Sequence, residues 1–165
     1  MEDEKNRLLV LEQIRTAFSK RSLSSNPSIL ESKEHTDFPD VQVLFEVDWD
    51  NPLPQALSKC ANAIPLLTPK GFAFVFGKFL ETTLTHCCEM MGNEITNVLL
   101  MDLLSPPNEF ANTIVSRKIT DLSTEEIKSI HSWSYWFEKS EYKKSISQIE
   151  KKSMWLRENI GYSGE

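Results

Sequence analysis

The chain has 165 residues, of which 40% are hydrophobic and 25% charged, a composition typical of one soluble globular domain. The 18 basic and 24 acidic residues give a formal net charge of −6 at pH 7. This charge argues against a nucleic-acid partner and against binding to an anionic membrane surface, since both attract basic faces. We expect a single domain over residues 1–165, with a flexible tail at 161–165.

The N-terminal sequence and the cysteines bear on the cellular compartment. The stretch MEDEKNRLLVLEQIRTAF lacks the basic region, the uninterrupted apolar run and the cleavage site of a signal peptide. No stretch approaches the roughly 20 apolar residues that a membrane span requires. The three cysteines, Cys60, Cys87 and Cys88, make a poor disulfide framework because their number is odd. We therefore predict a cytoplasmic protein that does not enter a membrane.

A first helix is predicted over residues 4–19. Side chains at three- and four-residue steps form one stripe that should face the core. The stripe consists of Leu8, Leu11, Ile14, Arg15 and Phe18, widened by Val10 and Ala17. The following residues, 20–40, are rich in serine, proline and charge and predict a loop-rich segment inside the domain.

An acidic segment spans residues 31–51 and so overlaps the end of the loop-rich segment. It contains seven acidic residues and one lysine. Within it, VQVLFEVDW is β-branched and aromatic and predicts a short β-element in 41–48, or an extended segment laid on helices. Asp48 and Asp50 flank Trp49 and could bind a cation or a basic partner. A solvated turn is the alternative interpretation of this pair.

Two helices are predicted next, over residues 52–64 and over residues 69 to about 91. Thr68 and Pro69 are the residue types preferred at the cap and at the first position of the second helix. This Phe-rich helix carries Phe72, Phe74, Phe76 and Phe79. Four rings exceed what one face needs, which favours a central core helix over a groove for a partner or an acyl chain.

Two glycines lie inside the Phe-rich helix, Gly71 and Gly77. Each weakens a helix by about 1 kcal/mol relative to alanine. Their presence therefore indicates that another part of the chain packs closely against the helix at these two positions, where a side chain would not fit.

The remaining sequence predicts a helix of about ten residues in NEITNVLLMDLL, an irregular segment over 107–121, and a helix that starts at a Ser123–Glu126 capping box. Trp133 and Trp136 widen the apolar face of the last helix and would form an interface if they were exposed. Segment 141–160 has an apolar stripe and lysine-rich flanks. It either continues this helix or bends near Ser140.

The order of these segments is recognisable. An amphipathic helix precedes VDWDN, and AIPLLTPKGFAFVFGKFL, LLSPP and ITDLSTEEIKSIHSW follow. This order resembles a family of small uncharacterised bacterial proteins, a domain of unknown function, in which a Trp-containing segment precedes a stretch such as fLTPegFryyLPayl. The likeness covers most of residues 8–137, and residues 75–78 depart from the family pattern. The resemblance implies a mainly α-helical single domain and no catalytic residue.

His86, Cys87 and Cys88 are candidates for a metal site or a nucleophile, with Cys60 or His131 supplied by another helix. Consecutive residues of a helix diverge by about 100°, so adjacent cysteines bind one ion only with distortion. For the same reason His86 and Cys87 do not make a nucleophile and its base. We favour cysteines that act as small buried hydrophobic residues, and we predict no metal and no cofactor.

No complete catalytic set, phosphate loop or nucleophile elbow is present in the sequence, which favours a non-enzymatic role. We predict a mainly α-helical bundle of five or six helices that binds an unidentified protein partner, as a monomer or a homodimer. An immunity or antitoxin-like inhibitor is one form of such a module. The predicted binding residues are Asp48, Trp49, Asp50, Trp133 and Trp136. The alternative is a small-ligand binder or enzyme with a pocket between the Phe-rich helix (69–91) and the Trp133/Trp136 helix.

Overall fold

The computed structural model describes residues 2–23, 29–32, 34, 38–90, 93–103 and 113–140. These residues form a mainly α-helical fold, as predicted. The α-helices are α1 (Glu2–Phe18), α2 (Pro39–Glu46), α3 (Pro54–Lys59), α4 (Pro69–Thr85), α5 (Cys87–Met90), α6 (Glu94–Leu103), α7 (Ile114–Lys118) and α8 (Thr124–Lys139). Two 3₁₀ helices, Ala61–Leu66 and Ile119–Asp121, complete the described elements. The chain thus has more and shorter helices than the five or six predicted.

Helix α4 lies at the centre of the core. All four of its phenylalanines are buried, and Phe76 is 1% exposed. The centroid of the Phe76 ring lies 5.2 Å from that of Phe72 and 6.1 Å from that of Phe79. Helix α1 packs against α4 on one side and against α8 on the other. The prediction of a central core helix is therefore confirmed, and the four rings are explained by packing on several sides.

Both glycines of α4 lie against other parts of the chain. A Cβ atom at Gly71 would come within 2.5 Å of the carbonyl oxygen of Ile29, and one at Gly77 within 2.5 Å of the Phe18 ring. The predicted close packing is confirmed at both positions. The glycines let the segment before α2 and the end of α1 approach the helix backbone.

Two predicted helix starts are also confirmed. The Thr68 hydroxyl accepts a hydrogen bond from the Gly71 N–H at 3.2 Å, and Pro69 occupies the first position of α4. At α8 the Ser123 hydroxyl accepts from the Glu126 N–H at 3.2 Å, while the Glu126 carboxylate accepts from the Ser123 N–H at 2.7 Å. This reciprocal pair satisfies amide groups that the first turn of a helix leaves without partners.

The prediction of a short β-element in 41–48 is wrong, and so is the alternative prediction of an extended segment. Residues 39–46 form α2, with Pro39 at a first-turn position and with Val41 and Leu44 fully buried. These two residues are three apart, so their burial follows a helical period, and this packing overrides the strand preference of the β-branched residues. The described β-structure is an isolated bridge between Leu30 and Leu67.

Several predicted boundaries also need correction. The helix predicted over 52–64 changes to 3₁₀ geometry at Ala61, because the Pro65 ring would clash with the Ala61 carbonyl group in an α-helix. The Phe-rich helix ends at Thr85 rather than near residue 91, with His86 outside helical geometry.

The segment predicted to be irregular contains a helix, α7. The Thr113 hydroxyl accepts from the Ser116 N–H at 3.1 Å, and the Asp102 carboxylate accepts from the Ile114 N–H at 3.0 Å. These two caps stabilise a short helix that has little apolar periodicity. The predictions for residues 107–112, 141–160 and 161–165 lie outside the described residues.

The apolar stripe of α1 differs from the predicted one in two members. Leu8 is 52% exposed and Arg15 is exposed as well. The buried stripe consists of Val10, Leu11, Ile14 and Phe18. In the described part of the chain, no helix is long and apolar enough to cross a membrane.

Candidate functional site

Helix α2 has one face buried against the core and another exposed to solvent. Val41 and Leu44 are fully buried, and α2 packs through this side on α3 and on the 3₁₀ helix Ala61–Leu66. Phe45, four residues after Val41, lies at the edge of this buried face and is 41% exposed, while the exposed Glu46 lies on the opposite side. Phe38, directly before the helix, is 46% exposed. The exposed part of α2 therefore carries an aromatic ring at its edge and a carboxylate about 100° further round the helix.

The turn that follows α2 is held in place by Trp49. Its indole N–H donates to the carbonyl oxygen of Leu44 at 2.7 Å. That carbonyl belongs to the last turn of α2, where the helix itself supplies no donor. The half-buried ring also meets Phe74 of α4 edge to face, with 5.1 Å between the centroids and an interplanar angle of 68°. Trp49 thus fixes the turn to both helices.

Asp48 and Asp50 lie on this turn, and both are exposed. The Asp48 carboxylate accepts from the Asp50 N–H at 3.2 Å, which is the hydrogen bond of an Asx turn. The structure thus brings Asp48, Trp49 and Asp50 together in a solvated turn, with the tryptophan inward and both acids outward.

The outer faces of α2 and of this turn form one candidate contact region, which we call the acidic aromatic surface. Its exposed members are Phe38, Asp40, Phe45, Glu46, Asp48, Asp50 and Leu53. Residues 38–53 contain no lysine or arginine. The acids of this surface were predicted from the sequence, whereas Phe38, Phe45 and Leu53 were not. Once residues 39–46 are taken as a helix, Val41 and Leu44 define its buried face, which places Phe45 at the edge of that face and Glu46 opposite it.

The other two predicted binding residues are buried in α8. Trp133 is 1% exposed, its indole N–H donates to the Thr83 hydroxyl at 2.8 Å, and its ring stacks on Phe137 at 5.2 Å. Trp136 is 6% exposed. An interface at these two rings would require them to be exposed, and in this structure both are buried. The hydrogen bond from Trp133 to Thr83 joins α8 to α4, the two helices between which the alternative pocket was predicted.

A polar groove lies on the other side of α8, between that helix and α1. It has a volume of about 1280 Å³, and its lining includes Lys20, Lys70, Lys128 and His131. A second recess of about 860 Å³ continues from it along the same two helices, with Leu9, Tyr135 and Trp136 in its lining. These recesses are broad and open, and α1 rather than α4 forms their second wall.

Arg21 closes one end of the groove and ties the chain after α1 to the start of α8. Its guanidinium donates to both carboxylate oxygens of Glu126, at 2.6 and 2.7 Å, and to the Asp121 carbonyl at 2.6 Å. It also pairs with the Asp121 carboxylate. Burial alone would raise the pKa of Glu126, but the hydrogen bonds from Arg21 and Ser123 outweigh it and the pKa is lowered. The hydrogen bonds to Glu126 and Asp121 raise the pKa of Arg21.

A smaller recess of about 580 Å³ lies beside the acidic aromatic surface. Its lining includes Trp49, Asp50, Phe74, Lys78 and Glu81. The Glu81 carboxylate bonds to Arg15 at 2.7 Å and to Lys78 at 3.2 Å, so positive and negative groups alternate at the rim. This recess joins the Trp49 turn to α4 and α1, which makes the turn a supported part of the fold.

The cysteines and His86 lie apart from these surfaces. Cys60 and Cys87 are buried, Cys88 is exposed, and burial raises the pKa of the Cys60 thiol to about 12. His86 lies 3.6 Å from the carboxylate of Glu89. Among the described residues, no group of three or more histidine, cysteine or acidic side chains is placed to hold a metal ion.

Comparisons with protein-family models, with curated proteins and with solved structures gave no match to this chain. The resemblance to the bacterial family that the motif order indicates therefore stays a prediction.

Proposed function

We propose that this protein is a non-enzymatic interaction module that binds a basic protein partner through the acidic aromatic surface. The observation that carries the proposal is the position of Phe45, 41% exposed on a helix whose inner residues are fully buried. Aromatic rings are enriched at the centres of protein interfaces, and polar groups are common at their rims.

Charge supports the choice of partner. Residues 38–53 contain four carboxylates and no basic side chain, so this part of the surface has a negative potential. Complementary charge speeds the encounter of two proteins and selects against wrong partners, while buried aromatic rings supply most of the affinity. A partner with lysine or arginine around an apolar recess matches both features.

Rigidity supports the same proposal. Trp49 bonds to Leu44 and packs on Phe74, so the turn that carries Asp48 and Asp50 is ordered before binding. A preformed surface loses little conformational entropy when it binds. The half-buried position of Trp49 makes it a support for the surface, whereas Asp48 and Asp50 are its outward groups.

The experiment that tests this proposal is affinity capture from the native cells with matched variants. One variant, Asp48→Asn/Asp50→Asn, removes two charges from the surface, and Phe45→Ala removes the ring. The control, Glu89→Gln/Glu125→Gln, removes two charges at positions 62% and 72% exposed elsewhere. We expect wild type and control to retain the same basic protein and both surface variants to retain at least tenfold less.

Equal retention of that protein by all four versions would contradict the proposal. If a partner is confirmed, an immunity or antitoxin-like inhibitor is one form that the module takes, in which the acidic surface covers a basic functional face of a toxin. We propose the cytoplasm as its location, which follows from the sequence features described above.

A second candidate function is small-ligand binding in the groove between α1 and α8. Its support is the groove's size, about 1280 Å³, together with a lining that combines lysines, serines and His131 with the carboxylates of Glu12, Glu125 and Glu126. Native mass spectrometry of protein purified from its own cells tests this function. A retained small molecule that is lost in a Lys128→Ala/His131→Ala variant would favour it, and protein of bare chain mass would count against it.

A further inference from the structure

Helix α1 carries an apolar pair on its outer side. Leu8 is 52% and Leu9 55% exposed, although both directly precede the stripe that α1 buries against α4 and α8. Single exposed leucines are ordinary on protein surfaces. Two adjacent ones on the outer side of α1 form an apolar patch, and Tyr135 of α8, 48% exposed with the Lys139 ammonium over its ring, lines the same recess as Leu9.

The charges around this pair are arranged symmetrically. Lys5 and Glu12 are exposed and lie at equal sequence distances, on opposite sides, from the midpoint between Leu8 and Leu9. At 1.5 Å per residue, each lies about 5 Å along the axis from that midpoint. Lys5, Leu8, Leu9 and Glu12 also share one face, because they are separated by steps of three and four residues. Within the described part of the chain, neither Lys5 nor Glu12 takes part in an ion pair.

A face with this arrangement is complementary to itself. If a second α1 lies antiparallel beside the first, with a two-fold axis at the level of the Leu8–Leu9 midpoint, Leu8 packs against the partner's Leu8 and Leu9 against the partner's Leu9. Lys5 then stands at the level of the partner's Glu12, and the two-fold axis repeats this pairing at the other end. Apolar contacts lie at the centre and opposite charges at the edges, as in ordinary interfaces.

We propose that the outer face of α1 is the contact surface for a second copy of this chain. The occupant follows from charge complementarity, since the same four residues supply both halves of the match. The contact is small for a stable dimer, so we expect weak association that is populated only at high protein concentration. This surface is separate from the acidic aromatic surface, and the inference does not depend on the proposed function.

Charge exchange tests the arrangement directly. The full chain is measured by sedimentation equilibrium up to about 0.5 mM in about 0.15 M salt, where long-range repulsion is screened. We expect a monomer–dimer equilibrium for wild type. Lys5→Glu places like charges opposite each other twice, and so does Glu12→Lys, so each should weaken association at least tenfold.

An equimolar mixture of these two variants restores both opposite-charge pairs, and we expect heterodimers with association within about threefold of wild type. Misfolding of either variant cannot produce that recovery, and circular dichroism verifies the helix content of each. Lys59→Glu, an exposed charge reversal on α3, should leave dimerisation unchanged. Monomers at every concentration, or a mixture no more associated than the separate variants, would overturn the proposal.

Discussion

The indole N–H of Trp49 donates to the carbonyl oxygen of Leu44 at 2.7 Å, while the same ring lies edge to face against Phe74. One side chain thus joins the end of α2, the acidic turn and the central helix α4. The carboxylates of Asp48 and Asp50 are exposed on a turn that Trp49 holds in position.

Trp49→Phe keeps an aromatic ring but removes the N–H group that donates to Leu44. We expect the free energy of unfolding to fall by about 1 kcal/mol, because the carbonyl loses its partner in a partly buried place. Trp49→Ala should cost more, since it also removes the contact with Phe74. Urea unfolding of both variants measures the difference. Equal stability of wild type and Trp49→Phe would mean that the hydrogen bond does not hold the turn.

Gly71→Ala should destabilise the protein even though alanine favours a helix by about 1 kcal/mol. The added methyl group would approach the carbonyl oxygen of Ile29 to 2.5 Å, and a backbone atom cannot move aside easily. We expect a net loss of about 1–3 kcal/mol in thermal or urea unfolding. Thr16→Ala, an exposed change in α1, is the control for helix propensity without packing. A stabilised Gly71→Ala protein would contradict the packing described for α4.

The Arg21–Glu126 pair predicts a pH dependence of stability. Because the folded-state pKa of Glu126 lies below that of the unfolded chain, its ionised form stabilises the fold at neutral pH. This contribution is present above the unfolded pKa of about 4.3 and is lost as the pH falls through the lower folded value. Glu126→Gln should therefore unfold with a flatter pH profile between neutral and acid pH.

The matched control for this profile is Glu125→Gln, the neighbouring acid, which is 72% exposed. Denaturant unfolding at a series of pH values compares the three proteins. The control should keep the wild-type slope. Parallel profiles for wild type and Glu126→Gln would show that the ion pair contributes no pH-dependent stability.

Phe76 and Phe45 should respond to truncation in opposite ways. Phe76 is 1% exposed in the centre of the core, so Phe76→Ala should lower the free energy of unfolding by about 3–5 kcal/mol. Phe45 is 41% exposed, so Phe45→Ala should change it by about 0.5 kcal/mol or less while lowering partner binding. Urea unfolding and the capture experiment together test the pair. A large loss of stability in Phe45→Ala would place this ring in the core instead.

Local chemistry made part of this fold predictable from the sequence. Thr68 with Pro69, and Ser123 with Glu126, act within one helical turn, so their residue types are sufficient to locate the starts of α4 and α8. The need for close contact at Gly71 was also predictable. Its partner, Ile29, was not, because the contact depends on the tertiary path of a segment 42 positions earlier in the chain.

The errors arose where packing decides between two local preferences. Residues 41–48 have strand-forming side chains, yet Val41 and Leu44 meet the core at a helical spacing. The acidic part of the candidate surface was predictable from the sequence. The exposure of Phe45 was not, because it depends on α2, a helix that was not predicted from the sequence. Trp133 reads as a possible interface residue until its hydrogen bond to Thr83 and its burial are known.

The most direct measurement of the central claim is photo-crosslinking in the native cells. A photoreactive phenylalanine analogue replaces Phe45 in one version and Glu89, an exposed residue of α5, in the other. We predict that the analogue at position 45 forms a covalent adduct with one basic protein and that the analogue at position 89 does not. No adduct at position 45, or the same adducts at both positions, would contradict a partner bound at the acidic aromatic surface.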